Sequence, residues 1–276
     1  MAVGATANPK YAGIVIDAKT GKTLYANSAD SLRYPASLTK MMTLYMVFEA
    51  LDNGSLSKKT RISISRNAAN EQPSKIGLRP GQTISVEQGI YALVTKSAND
   101  VATALGEHIG GSESGFARKM TAKARALGMK STTFRNAHGL PNSSQKTTAR
   151  DMARLGLALR EHFPHYYSYF STRSFKYGKA RYGNHNRLLG VVKGVDGIKT
   201  GYPRASGFNL VSSVRADGRS IVAVVMGGKT GSSRNEQMKK LIATYLPKAS
   251  RTGRGDLIAQ APAATRIALP KIGPIP

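Results

Sequence analysis

The 276-residue sequence contains no cysteine, which excludes disulfides, thiolate metal sites and cysteine nucleophiles. Carboxylates are scarce as well: 15 Asp and Glu accompany 41 Lys and Arg, and the formal net charge is +26. Such a field attracts nucleic acid, anionic lipid or an acidic polymer. The basic residues are nevertheless spread along the chain without a compact run, so the charge alone identifies no partner.

Long apolar runs are also missing. No stretch of 18 apolar residues occurs, so we predict no transmembrane segment. Residues 1–8 lack the basic and apolar regions of a signal peptide. The five histidines are scattered without metal-ligand spacing, and we therefore predict no metal and no other cofactor.

The most informative stretch begins at Pro35. Residues 41–51 are strong helix formers, and Asn53 and Gly54 supply a left-handed stop. The apolar residues of this stretch surround the helix axis instead of forming a stripe, which indicates a helix buried on all sides. Ser37 is expected to cap its N-terminus.

Lys40 is the anomaly of this buried helix. Burial disfavours a charged ammonium, so the amine is pushed towards its neutral, basic form. Residues three apart share a helix face, which brings Lys40 within reach of the Ser37 hydroxyl. This pairing predicts a nucleophile beside its base, at a helix N-terminus that favours an oxyanion. A capping serine and a snorkelling lysine are the alternative, and four residues alone do not decide between them.

Periodicity and turn residues predict strands near both ends of the chain and mostly helices between them. The strands are expected over 11–17, 22–26, 61–65, 207–214 and 220–226, and the helices over 85–95, 100–110, 113–127, 148–162 and 235–245. Residues 67–82 read as a surface loop, and residues 166–189 have no firm period. The fold class is therefore α/β of the α+β type: an antiparallel sheet built from both chain ends, helices on both faces and an inserted all-helical lobe.

The same pattern divides the chain. We expect a catalytic domain over 1–251, with its α/β part at about 1–65 and 186–251 and its helical lobe at about 66–185. Residues 252–276 are rich in Ala and Pro and read as a linker-like tail.

Two further motifs give the first one its context. Ser97-Ala98-Asn99 lies at a helix junction, and Lys199-Thr200-Gly201 precedes the strand at 207–214. With Ser37-x-x-Lys40, and in this order, they resemble the penicillin-binding proteins and serine β-lactamases. The flanking sequences resemble the low-molecular-weight D-alanyl-D-alanine carboxypeptidases over about residues 8 to 248; they are Pro35-Ala36, Val195-Asp196-Gly197-Ile198, Ser206-Gly207-Phe208-Asn209-Leu210-Val211, His138-Gly139-Leu140 and Thr148-Ala149-Arg150-Asp151.

The resemblance implies a β-lactamase/transpeptidase-like fold and a serine mechanism. Ser37 would attack the carbonyl between two terminal D-alanines, and Lys40 would take its proton. Ser97 would relay a proton to the leaving amine, and Asn99 would orient Lys40 or the substrate amide. Lys199 would depress the pKa of Lys40 and attract the substrate carboxylate.

The resemblance also implies the remaining substrate-binding residues. The third motif contributes Thr200 and Gly201, and the backbone N–H groups of Ser37 and Tyr202 would form the oxyanion hole. Thr200 and Arg234 are the candidates for holding the terminal carboxylate. One departure concerns Pro203-Arg204, because this group more often has small or polar residues after the third motif.

Each of these residues also has a structural alternative. Ser97 and Asn99 are good helix caps, and Thr200-Gly201 fits an ordinary turn. His138 is interpreted as structural, because no aspartate–histidine order indicates a triad. A second Lys-Thr-Gly, at 229–231, follows a strand and is assigned a structural role. A phosphate loop is excluded there, because Ala223 stands where that motif needs glycine.

The predicted function is a serine D-Ala-D-Ala carboxypeptidase that trims peptidoglycan stem pentapeptides and is acylated and inhibited by β-lactams. A serine β-lactamase is the first alternative, but no Glu-x-x-x-Asn element occurs between Asn99 and Lys199, where the only glutamates are Glu107, Glu113 and Glu161. Slow release of penicillin follows as an expectation. The second alternative is a non-enzymatic binder of anionic cell-envelope polymer, which Ser37→Ala would leave unaffected.

The expected partners are the peptidoglycan stem peptide and β-lactams as covalent inhibitors, with no nucleic acid. Because this substrate lies outside the cytoplasmic membrane, we expect a periplasmic or extracytoplasmic location and infer that a signal peptide has been removed. Family members often carry a second β-rich domain and a C-terminal amphipathic anchor, and the short stretch after residue 250 is too small for that domain.

Overall fold

The computed structural model describes residues 8–202 and 207–259. Nine strands are assigned within them: β1 (Ala12–Asp17), β2 (Thr23–Asn27), β3 (Arg61–Ser63), β4 (Thr83–Ser85), β5 (Ser174–Tyr177), β6 (Ala180–Gly183), β7 (Val195–Gly201), β8 (Phe208–Ala216) and β9 (Arg219–Gly228). The α-helices of the same residues are α1 (Thr39–Asp52), α2 (Arg66–Asn70), α3 (Val86–Val94), α4 (Asn99–Gly110), α5 (Glu113–Ala126), α6 (Ala149–His162) and α7 (Gly231–Tyr245). Short 3-10 turns cover Ala36–Leu38, Tyr167–Ser171 and Leu246–Lys248.

A five-stranded antiparallel sheet in the order β2-β1-β9-β8-β7 organises the molecule. Its strands come from both ends of the chain, as the sequence predicted. Strand β1 pairs directly with β9, from Ala12 opposite Met226 to Asp17 opposite Ile221. The two chain ends therefore close one sheet, and β7 forms one of its edges.

Helices cover both faces of this sheet because its strands are apolar on both sides. Ile14 and Ile16 face the larger core with α6, whereas Val15 packs with Met238 of α7. Gly156 lets α6 approach closely, since a Cβ atom there would lie 3.0 Å from a Val222 methyl group. The expected arrangement of helices on both faces is confirmed.

Helix α1 connects the sheet to the helices between β2 and β5. Every residue from Thr39 to Phe48 is buried, which confirms burial on all sides. It packs against α4, α5 and α6. Among the described residues, none of the helices has the length and hydropathy that crossing a bilayer requires.

Two local expectations were wrong, for residues 67–82 and for Ser37, and two further elements fall in stretches to which the sequence assigned none. Residues 195–201 form strand β7. Its periodicity did not predict a strand, because Gly197 and Gly201 interrupt the apolar alternation. Residues 67–82, read as loop, contain most of α2. The stretch 166–189 contains the β5–β6 hairpin, with Gly178 at a φ of +56° in its turn. Ser37 does not cap α1, because it lies in the preceding 3-10 turn and its hydroxyl makes no capping bond.

The chain after α7 turns back onto the far end of the sheet. The Ser250 N–H donates to Asp17 Oδ2 at 2.7 Å, and the Leu257 and Ile258 N–H groups donate to Glu161 Oε2, both at 2.9 Å. These bonds fix residues 250–258, which include the beginning of the stretch 252–276 read as a tail. Residues 260–276 lie outside the described residues, and the domain division stays a prediction.

Candidate active site

Ser37 and Lys40 meet where the 3-10 turn enters α1. Lys40 is fully buried, and its Nζ lies 3.3 Å from Ser37 Oγ. The same Nζ donates to Asn99 Oδ1 at 2.6 Å and to the His138 carbonyl at 2.7 Å. A neutral amine has two N–H donors and one lone pair. With both donors used by these two oxygens, the lone pair is left for the Ser37 hydroxyl proton.

The surroundings of Lys40 favour this neutral form. Burial and the nearby Lys199 charge hold the pKa of Lys40 well below its usual range, although Glu71 and Asp100 act in the opposite direction. The predicted cause, desolvation assisted by Lys199, is the one the structure gives. Lys40 therefore meets the two requirements for a general base, a low pKa and a hydroxyl within reach.

Asn99 is held by backbone contacts on both sides. Its N–H donates to the Ser74 carbonyl and its Nδ2 to the Gln72 carbonyl, both at 2.7 Å. With Nδ2 turned towards the Gln72 carbonyl, Oδ1 faces Lys40. Asn99 begins α4, but it does not cap that helix with its side chain. Asn99 therefore positions the Lys40 amine by accepting a hydrogen bond from it.

Ser97 occupies the break between α3 and α4. Its φ of +60° is unusual for a residue with a side chain, and such strain is typical of functional positions. The residue is 4% exposed, and its hydroxyl has no hydrogen-bond partner among the described residues. A buried hydroxyl of this kind is available to a bound molecule.

Strand β7 carries the third motif along the edge of the sheet. A Cβ atom on Gly201 would lie 3.1 Å from the Pro35 carbonyl oxygen and 3.2 Å from Ser37 N, so the strand end abuts the nucleophile turn. Lys199 is buried, and its Nζ donates to the Thr200 carbonyl at 3.1 Å. Burial, assisted by the charge of Arg234, lowers the pKa of Lys199 to about 7.

Arg234 lies behind this strand end, in the first turn of α7. It is 6% exposed, and its Nη1 donates to the Asn209 carbonyl at 3.0 Å. Asn209 pairs in register with Gly201 and donates through Nδ2 to the Tyr34 carbonyl at 3.2 Å. Arg234 is therefore buried, and it belongs to the network that joins β7, β8 and the nucleophile turn.

Tyr202 is the last described residue after β7. Its side chain is 56% exposed and stacks on Phe208, with ring centroids 4.3 Å apart. It therefore presents an aromatic surface beside Gly201. Pro203 and Arg204, noted as departures, lie outside the described residues.

The loop at His138 and Gly139 borders the nucleophile turn. Its part in the site was not predicted. Gly139 has a φ of +95°, and a Cβ atom there would lie only 1.9 Å from the Ala36 carbonyl oxygen. The loop backbone thus packs directly on the nucleophile turn while the His138 carbonyl holds Lys40. A backbone carbonyl has no sequence signature, so only the neighbouring glycine offered a signal.

The His138 side chain is structural, as interpreted from the sequence. Its Nε2 lies 3.2 Å from Glu71 Oε1 and 3.0 Å from Glu113 Oε1. These three side chains are close enough to suggest a metal site. However, the Leu140 N–H donates to Nδ1 at 3.0 Å, which assigns the proton to Nε2. A protonated Nε2 cannot ligate a metal, so the histidine bridges the two carboxylates instead.

The second Lys-Thr-Gly also has its expected structural role. Thr230 caps α7, because its side-chain oxygen accepts from the Ser233 N–H at 3.0 Å. The three glutamates considered for a β-lactamase have partners other than Ser37: Glu107 bonds Asn67, Glu113 contacts His138 and Glu161 holds the chain at 257–258.

Comparison with known proteins places this geometry in a family. A model of the D-alanyl-D-alanine carboxypeptidases matches residues 5–230. This chain belongs to that family. Within it, the chain is 37% identical over 236 residues to the D-alanyl-D-alanine carboxypeptidase DacA of Escherichia coli, covering 83% of this chain and 59% of the relative. The chain therefore spans about three fifths of the length of that curated relative.

Solved structures of the family share the fold. Penicillin-binding protein 5 from Haemophilus influenzae matches with a TM-score of 0.82 and 34% identity, over 84% of this chain and 69% of that one. Penicillin-binding protein D2 from Listeria monocytogenes, in an ampicillin-bound form, matches with a TM-score of 0.74 and 30% identity, over 84% of this chain and 95% of that one. The expected β-lactamase/transpeptidase-like fold is confirmed.

Proposed function

We propose that this protein is a serine D-Ala-D-Ala carboxypeptidase that removes the terminal D-alanine from peptidoglycan stem peptides. The observation that carries the proposal is the buried Lys40 amine, whose Nζ bonds the Asn99 and His138 oxygens and lies 3.3 Å from Ser37 Oγ. Membership of the D-alanyl-D-alanine carboxypeptidase family supports it.

In the acylation step, Lys40 takes the Ser37 proton as Oγ attacks the carbonyl carbon between the two D-alanines. The N–H groups of Ser37 and Tyr202 stabilise the resulting oxyanion. The C–N bond then breaks, the leaving amine takes a proton through Ser97, and free D-alanine departs. Water hydrolyses the ester on Ser37 and restores the hydroxyl.

Substrate recognition falls to the β7 side of the site. A Lys199 that is charged attracts the terminal carboxylate, Thr200 donates a hydrogen bond to it, and Arg234 adds positive charge from behind the strand. Asn99 keeps Lys40 oriented. The aromatic surface of Tyr202 lies beside Gly201 and contacts the peptide portion.

β-Lactams present a strained amide beside a carboxylate, so the same residues accept them and form an ester with Ser37. The ampicillin-bound relative makes this ligand class a direct expectation. No Glu-x-x-x-Asn element occurs between Asn99 and Lys199, and the three glutamates there contact Asn67, His138 and the backbone at 257–258, so we expect slow hydrolysis of that ester. We place the protein outside the cytoplasmic membrane, where peptidoglycan lies.

The test measures D-alanine release from a synthetic pentapeptide ending in D-Ala-D-Ala, with fluorescent penicillin labelling in parallel. Wild-type protein is expected to do both, and Ser37→Ala to lose both. Ser57→Ala, at an exposed turn, is the matched control and should behave as wild type. Labelling that survives Ser37→Ala refutes the mechanism, and rapid penicillin turnover would favour the β-lactamase alternative.

A further inference from the structure

A cavity separate from the active site lies at the end of the sheet far from Ser37. It measures about 470 Å³ and is bounded by the turn after β1, the end of α6, the β8–β9 turn and residues 253–256. Thr200 pairs with Leu210 at the site end of β8, and Arg215 follows five residues later. At about 3.3 Å per residue, the cavity begins roughly 17 Å from the active site along the strand.

The cavity is strongly cationic. Five basic side chains line it, accompanied by two carboxylates; the basic residues are Lys19, Arg160, Arg215, Arg219 and Arg254, and the acidic ones are Glu161 and Asp256. Three of the cations have partners within the protein, because Arg160 bonds Asp196, Lys19 bonds the Arg251 carbonyl and Arg219 bonds the Ala249 carbonyl.

The other two cations are unengaged. Among the hydrogen bonds and ion pairs of the described residues, none involves the guanidinium of Arg215 or of Arg254. Both residues line the cavity and are exposed. A guanidinium offers five N–H donors in a plane and pairs with phosphate in a bidentate way. Two such groups on one cavity define a site for a phosphate-class anion.

Two buried polar atoms give independent support. Ser220 is one of the lining residues and is 5% exposed, and its hydroxyl has no hydrogen-bond partner among the described residues. Glu161 Oε1 is likewise buried and unpartnered, since only Oε2 accepts the bonds from 257 and 258. Buried polar groups without partners are uncommon in native proteins. One is a donor and the other an acceptor, which matches a ligand that has both kinds of atom.

We propose that this cavity, here called the basic cavity, binds a phosphate ester that carries free hydroxyl groups, such as a polyol phosphate or sugar phosphate. The phosphate pairs with Arg215 and Arg254 and accepts from Ser220, while a ligand hydroxyl donates to Glu161 Oε1. Polymers built from polyol phosphates and phospholipid headgroups share this chemistry. Binding there would hold the catalytic site near an anionic envelope component without occupying Ser37.

The first experiment titrates glycerol 3-phosphate, inorganic phosphate and glycerol separately into the full chain, and follows backbone amide NMR shifts at Gly218 and Gly255. Glycerol 3-phosphate should bind more tightly than either fragment. Arg215→Gln/Arg254→Gln should weaken it about tenfold or more, because two charge-assisted contacts are lost. Equal affinity for inorganic phosphate refutes the role of Glu161.

The matched control is Arg66→Gln/Arg181→Gln, which removes the same charge from two exposed arginines outside the cavity. It should leave the affinity unchanged. Equal weakening in both double variants would overturn the proposal in favour of the general positive charge. Penicillin labelling of Ser37 should be normal in both, so this result is separable from failure of the proposed enzyme activity.

A second experiment distinguishes the two sources of the ligand. Soluble poly(glycerol phosphate) and phosphatidylglycerol vesicles are each tested against wild-type protein and the Arg215→Gln/Arg254→Gln variant. If the variant loses binding only to the polymer, the ligand of the basic cavity is a polymer. If it loses binding only to the vesicles, the ligand is a lipid headgroup. If the variant binds both as wild type does, the basic cavity is not the anion site.

Discussion

Gly139→Ala tests whether the His138 loop sets the position of the nucleophile. The added Cβ atom would lie 1.9 Å from the Ala36 carbonyl oxygen, whereas real Cβ contacts essentially never fall under 3.0 Å. The loop and the nucleophile turn must therefore separate by at least about 1.1 Å, the difference of those two distances. A misplacement of about 1 Å can cost on the order of a hundredfold in rate, or about 2.7 kcal/mol. Because the same shift moves the His138 carbonyl away from Lys40, acylation should suffer directly.

The assay is the second-order rate of Ser37 acylation by fluorescent penicillin, measured beside the thermal midpoint. Gly54→Ala is the matched control: its φ is +74°, and an added Cβ atom would meet nothing within 4 Å. It carries the backbone strain of an alanine in the left-handed region, about 1–2 kcal/mol, without the clash. We expect a loss of about a hundredfold in acylation for Gly139→Ala and none for Gly54→Ala. If both variants acylate at the wild-type rate, the loop does not position the nucleophile.

Two further predictions concern the lysines. Lys40→Arg should lower acylation by roughly 10²- to 10⁴-fold while far-UV circular dichroism stays that of wild type, because a guanidinium stays protonated and cannot act as a base; a wild-type rate would exclude Lys40 as the base. For Lys199, whose pKa is lowered to about 7 by burial and then by Arg234, kcat/KM for the pentapeptide should fall as pH rises through about 7, because the ammonium that attracts the substrate carboxylate is lost. Lys199→Arg should abolish this fall in a pH–rate profile, and an unchanged profile would contradict the role.

The sequence predicted the parts of the site whose geometry is local. Ser37 and Lys40 meet because residues three apart share a helical face, and this contact survives although Ser37 lies in a 3-10 turn and not at the N-cap. The burial of Lys40 followed from the apolar residues that surround α1. The antiparallel sheet from both chain ends followed from strands at the two ends of the sequence. These features need only periodicity and short spacings.

The parts that escaped prediction depend on long-range packing. Strand β7 has a weak strand pattern, and it is a strand because β8 pairs with it from Gly201 opposite Asn209 to Val195 opposite Val214. The His138 carbonyl reaches Lys40 across 98 residues of sequence. Arg234 was named as a candidate for the substrate carboxylate, but its burial and its bond to the Asn209 carbonyl were not foreseen. None of these contacts follows from a local pattern.

The buried cations explain why the site combines reactivity with substrate capture. Lys40, Lys199 and Arg234 are each less than a tenth exposed, and burial is the largest cause of the lowered pKa of each. Between the lowered pKa of Lys199, about 7, and its unfolded value near 10.4, the unfolded chain binds the extra proton, so the contribution of Lys199 to stability rises with pH across that window. Below about pH 7 the folded protein holds Lys199 charged at a cost in stability, and that charge is what attracts a carboxylate. Capture of an anionic substrate relieves this cost, whereas Lys40, pushed further towards neutrality by the Lys199 charge, remains the base. The two lysines therefore depend on each other: the charged one recruits the substrate and keeps the other uncharged.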